Sequence, residues 1–502
     1  MTAMSDREIV SALKYVSRMK PSFMLSELRD YTKDEVSTAD VYRIVEPLLD
    51  ETGLRAVPEG EDYRIERLPK PAPLALGKEE LERVQTFFKA PRVPRKLERL
   101  IENYVERKTH RQYDDPAVLE KLRQAVQAQK TQYWKEGKAR KIDYSSGYSV
   151  LGYLAYQFPV YFVQFQHVLH DLATDGLLKD RIKVLDIGTG PGTVPLAIVD
   201  YYNRLDRAEA TVYSLEKYDE NIEAYLTLVP EYAGQKGRVR IEKPVKADLM
   251  EKPPVPDGID LMVFSNVLNE IDAPFDAKVD AVVELASHLA PDGNIVIIEP
   301  ADKENSTRMR RLVRRLLDKG LGIYSPCAFI WCDKCKADMC WSFEEKDDIQ
   351  PTGLMKKLAD TEESYKYLNT DIKFSYAILR KDTLTREKYR VPRRASYMRL
   401  AMLKKHVEKR LNVVAAVMSG DLGDKKDHVF KICDGTPAGP TYAMLAQYNV
   451  KPDNEALLKA KYGDVLEFEN VLVRYNKEND SINLLVSKGS IVSPAGAEEN
   501  EE

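Results

Sequence analysis

Two groups of residues in this 502-residue chain have the types and spacing to do chemistry. The first is Cys327-x4-Cys332-x2-Cys335-x4-Cys340; four of the five cysteines fall in one short run, and Cys433 stands alone. An odd count argues against a disulfide framework and for metal-binding or reactive thiols. Structural zinc usually takes two Cys-x-x-Cys knuckles separated by a longer spacer. Compact cysteine runs are the habit of iron–sulfur clusters, often with one ligand from elsewhere in the chain. Cys433, at the end of a predicted strand, is a candidate for that role. Zinc on the four local thiols is the alternative, and a redox or nucleophilic cysteine ranks third.

The second group is Val184-Leu-Asp-Ile-Gly-Thr-Gly-Pro-Gly-Thr193. An apolar run, Ile182 to Ile187, predicts a buried parallel strand, and Val194 to Tyr202 predicts a helix. Between them Gly188, Gly190 and Gly192 make a turn where backbone N–H groups can approach a ligand closely. The spacing is not the dinucleotide G-x-G-x-x-G. Asp186 followed by three alternating glycines is the pattern that binds S-adenosylmethionine (SAM) in Rossmann-like folds. Flanking units agree. Thr211 to Leu215 ends at Glu216, placed to accept from ribose hydroxyls, and Asp248 follows the next strand, suited to an adenine amine. Ile259 to Phe264 ends in Ser265-Asn266, and Asn294 to Ile298 ends in Glu299-Pro300. The expected cofactor contacts are Asp186, Gly188, Gly190, Gly192, Glu216, Asp248, Ser265 and Asn266. Strands alternating with helices imply a doubly wound sheet with its ligand at the strand carboxyl ends. A fold binding another nucleotide, or none, is the alternative.

The elements that must position these residues follow from pattern and punctuation. Residues 1–68 predict a winged-helix-like domain. Ile9, Leu13 and Val16 share one helical face; Ser22 and Thr38 are expected to cap two further helices, and Leu54–Val57 with Tyr63–Ile65 read as a hairpin. Pro69 to Pro73 is a linker. Residues 78–180 form a helical, basic region, and 181–382 the sheet, with the cysteine loop inserted at 325–343. Residues 395–493 carry about five strands of an OB-like barrel, and 494–502 an acidic, disordered tail. The fold class is therefore α/β: a Rossmann-like class I SAM-dependent methyltransferase domain with an N-terminal helical, winged-helix region and a C-terminal OB-like β-barrel.

Charge is balanced overall at −4, so nothing global announces nucleic acid, yet locally it is not. Lys89 to Lys141 holds fifteen Lys/Arg against seven Asp/Glu, with Tyr104, His110, Tyr113, Tyr133 and Trp134 interleaved, a mixture that suits RNA backbone and exposed bases. Arg380 to Arg410 holds twelve against three. Arg308, Arg310, Arg311, Arg314 and Arg315 crowd one helix, where like charges repel unless a phosphate-rich partner relieves them. Arg308, Arg311, Arg315, Arg390, Arg393 and Arg394 are the expected RNA contacts. No run of 18 uncharged apolar residues exists, so no membrane span is expected. The start lacks a transit pattern, and a cytoplasmic home is the expectation.

The chain resembles the methyltransferase-like assembly factors of the mitochondrial ribosomal small subunit, the Rsm-type family, which has prokaryotic relatives. The resemblance runs over about 150–465. It rests on Tyr153-Leu-Ala-Tyr-Gln-Phe-Pro-Val-Tyr161, the glycine turn, Asn266-Val-Leu-Asn-Glu-Ile271, Ser325-Pro-Cys327 and Cys340-Trp-Ser-Phe343. Phe374 to Arg380, Lys431-Ile-Cys-Asp-Gly435 and Tyr462-Gly-Asp464 extend it. The resemblance implies a four-iron (4Fe-4S) cluster on Cys327, Cys332, Cys340 and Cys433, and rRNA or the small subunit or its precursor as partner, not DNA. Two departures stand out: Ala328-Phe329 where the family has Pro-His, and the additional thiol Cys335. The acceptor motif of exocyclic amine methylation is absent at Ser265 to Leu268, and Asn266 and Glu270 are the catalytic candidates. Three functions follow as expectations: an rRNA methyltransferase, a non-catalytic SAM- and RNA-binding assembly factor, or a methyltransferase of a protein or small molecule.

Overall fold

The computed structural model describes residues 2–33, 35–133, 147–234, 237–331, 335, 340–393, 395–436 and 439–496. Two compact units result, 1–72 and 73–502. The first begins with α1 (Thr2–Met19) and β1 (Ser22–Met24), followed by a 3-10 turn at Leu25–Tyr31. Then come α2 (Thr38–Val45), a short α3 (Leu49–Thr52), and the hairpin β2 (Leu54–Glu59) and β3 (Asp62–Arg67). The strands pair in the order β1-β3-β2. Ile9, Leu13 and Val16 meet Leu25, Leu28, Val41 and Ile65 in its core, as their spacing predicts. Two expected caps move. Ser22 pairs with Glu66 as a strand residue, and Ser37, not Thr38, caps α2 by accepting the Asp40 N–H at 3.1 Å.

In the second unit five helices precede the sheet: α4 (Lys78–Lys89), α5 (Arg95–Thr109), α6 (Pro116–Tyr133), α7 (Gly147–Tyr156) and α8 (Phe158–Thr174). They do not form a domain of their own. Val84, Leu97, Leu122, Leu154 and Phe162 share one core with the sheet. The sheet alternates β4 (Arg181–Ile187), α9 (Thr193–Tyr202), β5 (Glu209–Glu216), α10 (Asp219–Ala233), β6 (Val239–Ile241) and β7 (Val245–Lys246). It continues through β8 (Ile259–Ser265), α11 (Phe275–Ala286), β9 (Leu289–Pro300), α12 (Lys303–Asp318) and β10 (Gly322–Ser325). β11 (Glu344–Lys346), α13 (Gly353–Leu358) and β12 (Ile372–Arg380) complete it.

The strand order is β10-β12-β9-β8-β4-β5-β6, with β12 antiparallel to β9 and to β10. β9, β8, β4, β5 and β6 run parallel. That is the doubly wound order with an antiparallel hairpin at one edge, the arrangement of class I SAM-dependent methyltransferases. Side chains alternate between its faces. Val184, Val296, Ile298 and Phe374 join the core beneath α7–α10; Leu185, Ile187, Ile295 and Leu379 join the core beneath α11 and α12.

The final strands are β13 (Arg410–Val417), β14 (Asp427–Cys433), β15 (Thr441–Ala446), β16 (Val465–Asn476), β17 (Ser481–Val486) and β18 (Ile491–Pro494), with α14 (Ala456–Lys459) between β15 and β16. β13 pairs with both β14 and β16, and β15 runs parallel to β17, which closes a five-strand barrel. Val413, Ala415, Phe430, Ile432, Ala443 and Leu484 fill it. Val414 and Ala416, pointing outward from β13, enter the core beneath α7–α10 instead, so barrel and sheet are fused along one seam. The expected tail starts later than Pro494, which still pairs with Leu466; residues 497–502 lie outside the described ones.

Candidate functional site

At the carboxyl ends of β4, β5 and β8 lies a cavity of about 380 Å³. Of the expected cofactor contacts, Gly188, Gly190, Glu216, Asp248, Ser265 and Asn266 line it, and so does Glu270. All three turn glycines are left-handed, at φ of 67°, 58° and 96°. Their surroundings differ. A Cβ on Gly188 would sit 2.3 Å from Val267 Cγ2, and one on Gly192 2.3 Å from Val229 Cγ2. Nothing lies within 4 Å of a Cβ on Gly190. Gly192 therefore packs against α10 and, like Asp186, is not among the residues that line the cavity. Asp186 is buried behind the turn, and burial pushes its carboxyl up to about 7, with Thr189 opposing and the Glu216 charge adding.

Glu216 ties the turn together. Its Oε2 accepts the Gly190 N–H at 2.8 Å, and its Oε1 accepts those of Lys217 and Tyr218 at 2.8 and 2.9 Å. Burial raises its pKa despite these donors. Asp248 accepts from Met250 N–H at 2.9 Å and pairs with Lys217 Nζ at 2.7 Å across the rim. Tyr153, Tyr161, Tyr218 and Asn221 complete the wall. Sequence reasoning did not assign these as site residues; the aromatic stretch ahead of the sheet was the available signal. Tyr153 is placed by a hydrogen bond to Thr193 Oγ1 at 3.0 Å.

The loop after β8 is held from below. Asn266 takes φ 55°, unusual for a residue with a side chain, and its N–H donates to Ile298 at 2.8 Å. Its Oδ1 is buried without a hydrogen-bond partner among the described residues. Glu270 sits in a turn, five residues before α11 begins at Phe275. Glu299 is 2% exposed; its Oε1 accepts from Leu268 and Asn269 N–H at 3.0 and 3.3 Å. Burial first, then the Glu270 charge, pushes its carboxyl up to about 8. A raised folded-state pKa lends stability at low pH that is lost as pH rises through about 8. Glu299→Gln keeps the acceptor and cannot ionise. From about pH 6 to pH 9 its melting temperature is expected to fall ~2–4 °C less than that of the parent; equal slopes in a thermal scan would refute this.

The cysteine loop leaves β10 and returns at β11, against the barrel. Burial pushes the Cys327 thiol up to about 12, opposed chiefly by the Arg310 charge. Burial and the neighbouring thiols also push Cys433 well up. Gly435 N–H donates to Cys433 Sγ at 3.3 Å. Among the described residues, no three His, Cys, Asp or Glu side chains are drawn together tightly enough to hold a metal ion. Cys332 lies outside the described residues. In chemistry alone the donors, soft sulfurs from the loop and from β14, are of the type that binds zinc or an iron–sulfur cluster.

A family model described as "Mitochondrial small ribosomal subunit Rsm22" matches residues 147–433, which span the helix before the glycine turn, the sheet, the cysteine loop and the barrel up to Cys433. The chain belongs to the Rsm22 family. Two models described as the N- and C-terminal domains of a domain of unknown function, DUF8157, match residues 6–58 and 401–495. No curated protein matches the chain. Solved structures similar to parts of it include the magnesium protoporphyrin IX methyltransferase ChlM from Synechocystis PCC 6803 with bound SAH, at 12% identity over 54% of this chain and 96% of that one, TM-score 0.28. A methyltransferase from Pyrococcus furiosus aligns at 14% identity over 43% and 82%, TM-score 0.26. Mitomycin 7-O-methyltransferase MmcR aligns at 18% identity over 63% and 82%, TM-score 0.24. At those scores the overlays add nothing to the strand order.

The expected RNA contacts of this Rsm22-family chain are spread over two surfaces. Arg308 is exposed and pairs with Glu304; Arg315 pairs with Asp276; Arg311 lies over the Phe275 ring. The repulsion on α12 is thus relieved within the chain and does not require a phosphate partner. Arg390 donates to the Glu387 and Tyr389 carbonyls, Arg393 is exposed, and Arg394 lies outside the described residues. The aromatics of the basic helices are corrected too. Tyr104 is buried with Arg107 over its ring, so it cannot stack on a base. Trp134 lies outside the described residues.

Proposed function

We propose that this chain is a SAM-binding, methyltransferase-like factor of the ribosomal small subunit that grips rRNA and carries a cysteine-bound iron–sulfur cluster. One observation supports the reading above the rest. The cavity at the strand ends joins an open glycine, Gly190, to two carboxylates, Glu216 and Asp248, at the positions that suit ribose and adenine. SAM would supply an activated methyl group there. Glu216 and Asp248 would orient the nucleoside, while Asn266 and Glu270 face the space left for an acceptor. Catalysis in such a site is mostly proximity and orientation. Asn266 Oδ1, buried and without a partner among the described residues, suits a donor on that acceptor.

Cys327, Cys340 and Cys433, with Cys332 or Cys335, would hold the cluster, and zinc is the competing occupant. The N-terminal unit has the element order of a winged helix, and α2 with the turn after it carries Asp40 and Glu46. A protein surface suits it better than nucleic acid. We place the protein in the cytoplasm; no helix among the described residues is long and apolar enough to cross a membrane.

Calorimetry with SAM and S-adenosylhomocysteine, followed by radiolabelled methyl transfer to small-subunit rRNA from a deletion strain, tests the reading. Binding with incorporation supports the enzyme. Binding with rRNA crosslinks and no incorporation supports a non-catalytic assembly factor, which the missing acceptor motif favours. Absence of both nucleoside binding and rRNA crosslinks refutes the reading.

A further inference from the structure

Among the described residues, four carboxylates line the strand-end cavity, Glu216, Asp248, Glu270 and Asp272. One cation lines it, Lys217, and its Nζ is paired with Asp248 at 2.7 Å. The strand order divides the four. Glu216 and Asp248 follow β5 and β7, which lie on one side of β4; Glu270 and Asp272 follow β8, which lies on the other. The ribose and the adenine account for the first pair. The second pair meets whatever the ligand carries at its far end.

The loop that bears this second pair is tied down. Leu268 and Asn269 N–H donate to Glu299, Glu270 N–H donates to the Val267 carbonyl at 3.1 Å, and Lys278 Nζ donates to the Leu268 carbonyl at 2.8 Å. Glu270 is half-buried, and Asp272 is exposed at the rim. Tyr153 and Tyr161 also line the cavity, with ring centroids 6.2 Å apart, and Glu270 is among the charges that Tyr153 feels. Carboxylates held in place beside aromatic rings suit a fixed positive charge. A phosphate would meet repulsion there.

SAM has a sulfonium at that end of its nucleoside. S-adenosylhomocysteine (SAH), which lacks the methyl group, has a neutral thioether. Their amino-acid tails are identical and cancel in any comparison. We infer that the β8 end of the cavity, through Glu270 with Asp272 at its rim, reads the charge on the ligand's sulfur and holds the sulfonium form in preference to the thioether. This rests on the SAM-binding reading above and adds a selectivity to it. Occupancy of the site then follows the ratio of the two nucleosides, so the loaded factor reports methyl supply. The same carboxylates turn away nucleotides that bear phosphates.

The test is calorimetry on the full chain with four probes. These are SAM, SAH, adenosine monophosphate, and sinefungin, which carries a protonated amine in place of the sulfonium methyl. SAM and sinefungin are expected to bind ~10-fold tighter than SAH, the effect of one charge pair in a partly dry site. Adenosine monophosphate should bind more weakly than all three. Glu270→Gln keeps the size of the side chain and removes its charge. It should bring SAM and sinefungin down to the affinity of SAH and leave SAH within ~2-fold of the parent. Asp272→Asn, at the wet rim, should narrow the preference by only ~2-fold. If Glu270→Gln fails to fold in a thermal melt, the parent's ratio and Asp272→Asn decide. A parent that binds SAH as tightly as SAM overturns the inference and leaves the SAM site standing. So does a folded Glu270→Gln that keeps the full preference, or adenosine monophosphate binding more tightly than SAM. A parent that binds neither SAM nor SAH overturns the SAM-binding reading itself.

Discussion

Gly190→Ala is expected to fold normally and to lose SAM affinity by ~100-fold, or about 2.7 kcal/mol. The residue stands at φ 58° with open space where a Cβ would go. Left-handed alanine costs ~1–2 kcal/mol, which a unit of this size tolerates. The new methyl group would occupy the ground that the ligand must approach, and its N–H is the turn donor held by Glu216. Gly192→Ala should do the opposite. Its Cβ would meet Val229 in the core, not the ligand, so stability should fall by ~2–4 kcal/mol from clash and strain together. Gly188→Ala combines both losses, because Val267 is the contact and also lines the cavity. Thermal melting and calorimetry on the three variants separate the roles. Affinity in Gly190→Ala within threefold of the parent would show that the ligand does not approach this turn.

Asp434→Ala is expected to cost ~3–5 kcal/mol, the largest stability effect of any single polar substitution in the seam. Asp434 is 1% exposed. Its Oδ2 accepts from Trp331 Nε1 and Leu400 N–H, both at 2.9 Å. Its Oδ1 accepts from Thr436 N–H at 2.8 Å and Thr436 Oγ1 at 2.7 Å. Alanine leaves all four donors without this acceptor. One of them, Trp331, belongs to the cysteine loop and is stacked under Arg399. Losing the carboxylate therefore removes one tie between the loop and the barrel end that carries Cys433. Asp434→Asn should fall between the two, since its amide keeps one accepting oxygen and turns an NH2 toward donors. Denaturant unfolding measures the difference; a loss under ~1 kcal/mol would mean that water already serves these donors.

The seam explains why sequence reading succeeded in some places and failed in others. Strand and barrel spans were legible because alternation is local. Leu185 and Ile187 face one core while Val184 faces the other, as a period of two requires. The turn glycines were legible as a group, yet their separate duties were not, because what a Cβ would meet is set by Val267 and Val229, remote in sequence. Tyr104 read as a base-stacking aromatic and is a core residue; one tyrosine in a basic helix gives no sign of which way it faces. The crowded arginines of α12 read as one phosphate-binding stripe. Their partners Glu304, Asp276 and Phe275, and the buried course of Arg310, divide them into different jobs.

Local chemistry alone was enough to determine the glycine turn, the acidic strand ends, the run of thiols and the order of strands and helices, since each depends on residues near one another in the chain. Tertiary structure alone decided that Glu299 lies under the Asn266 loop, that Asp434 is buried among its donors, and that Arg310 is buried while Arg308 and Arg315 on the same helix stay exposed. Those facts depend on which distant segments share a dry interior. Burial and charge pairing there are properties of the packed chain, and no periodicity or spacing encodes them.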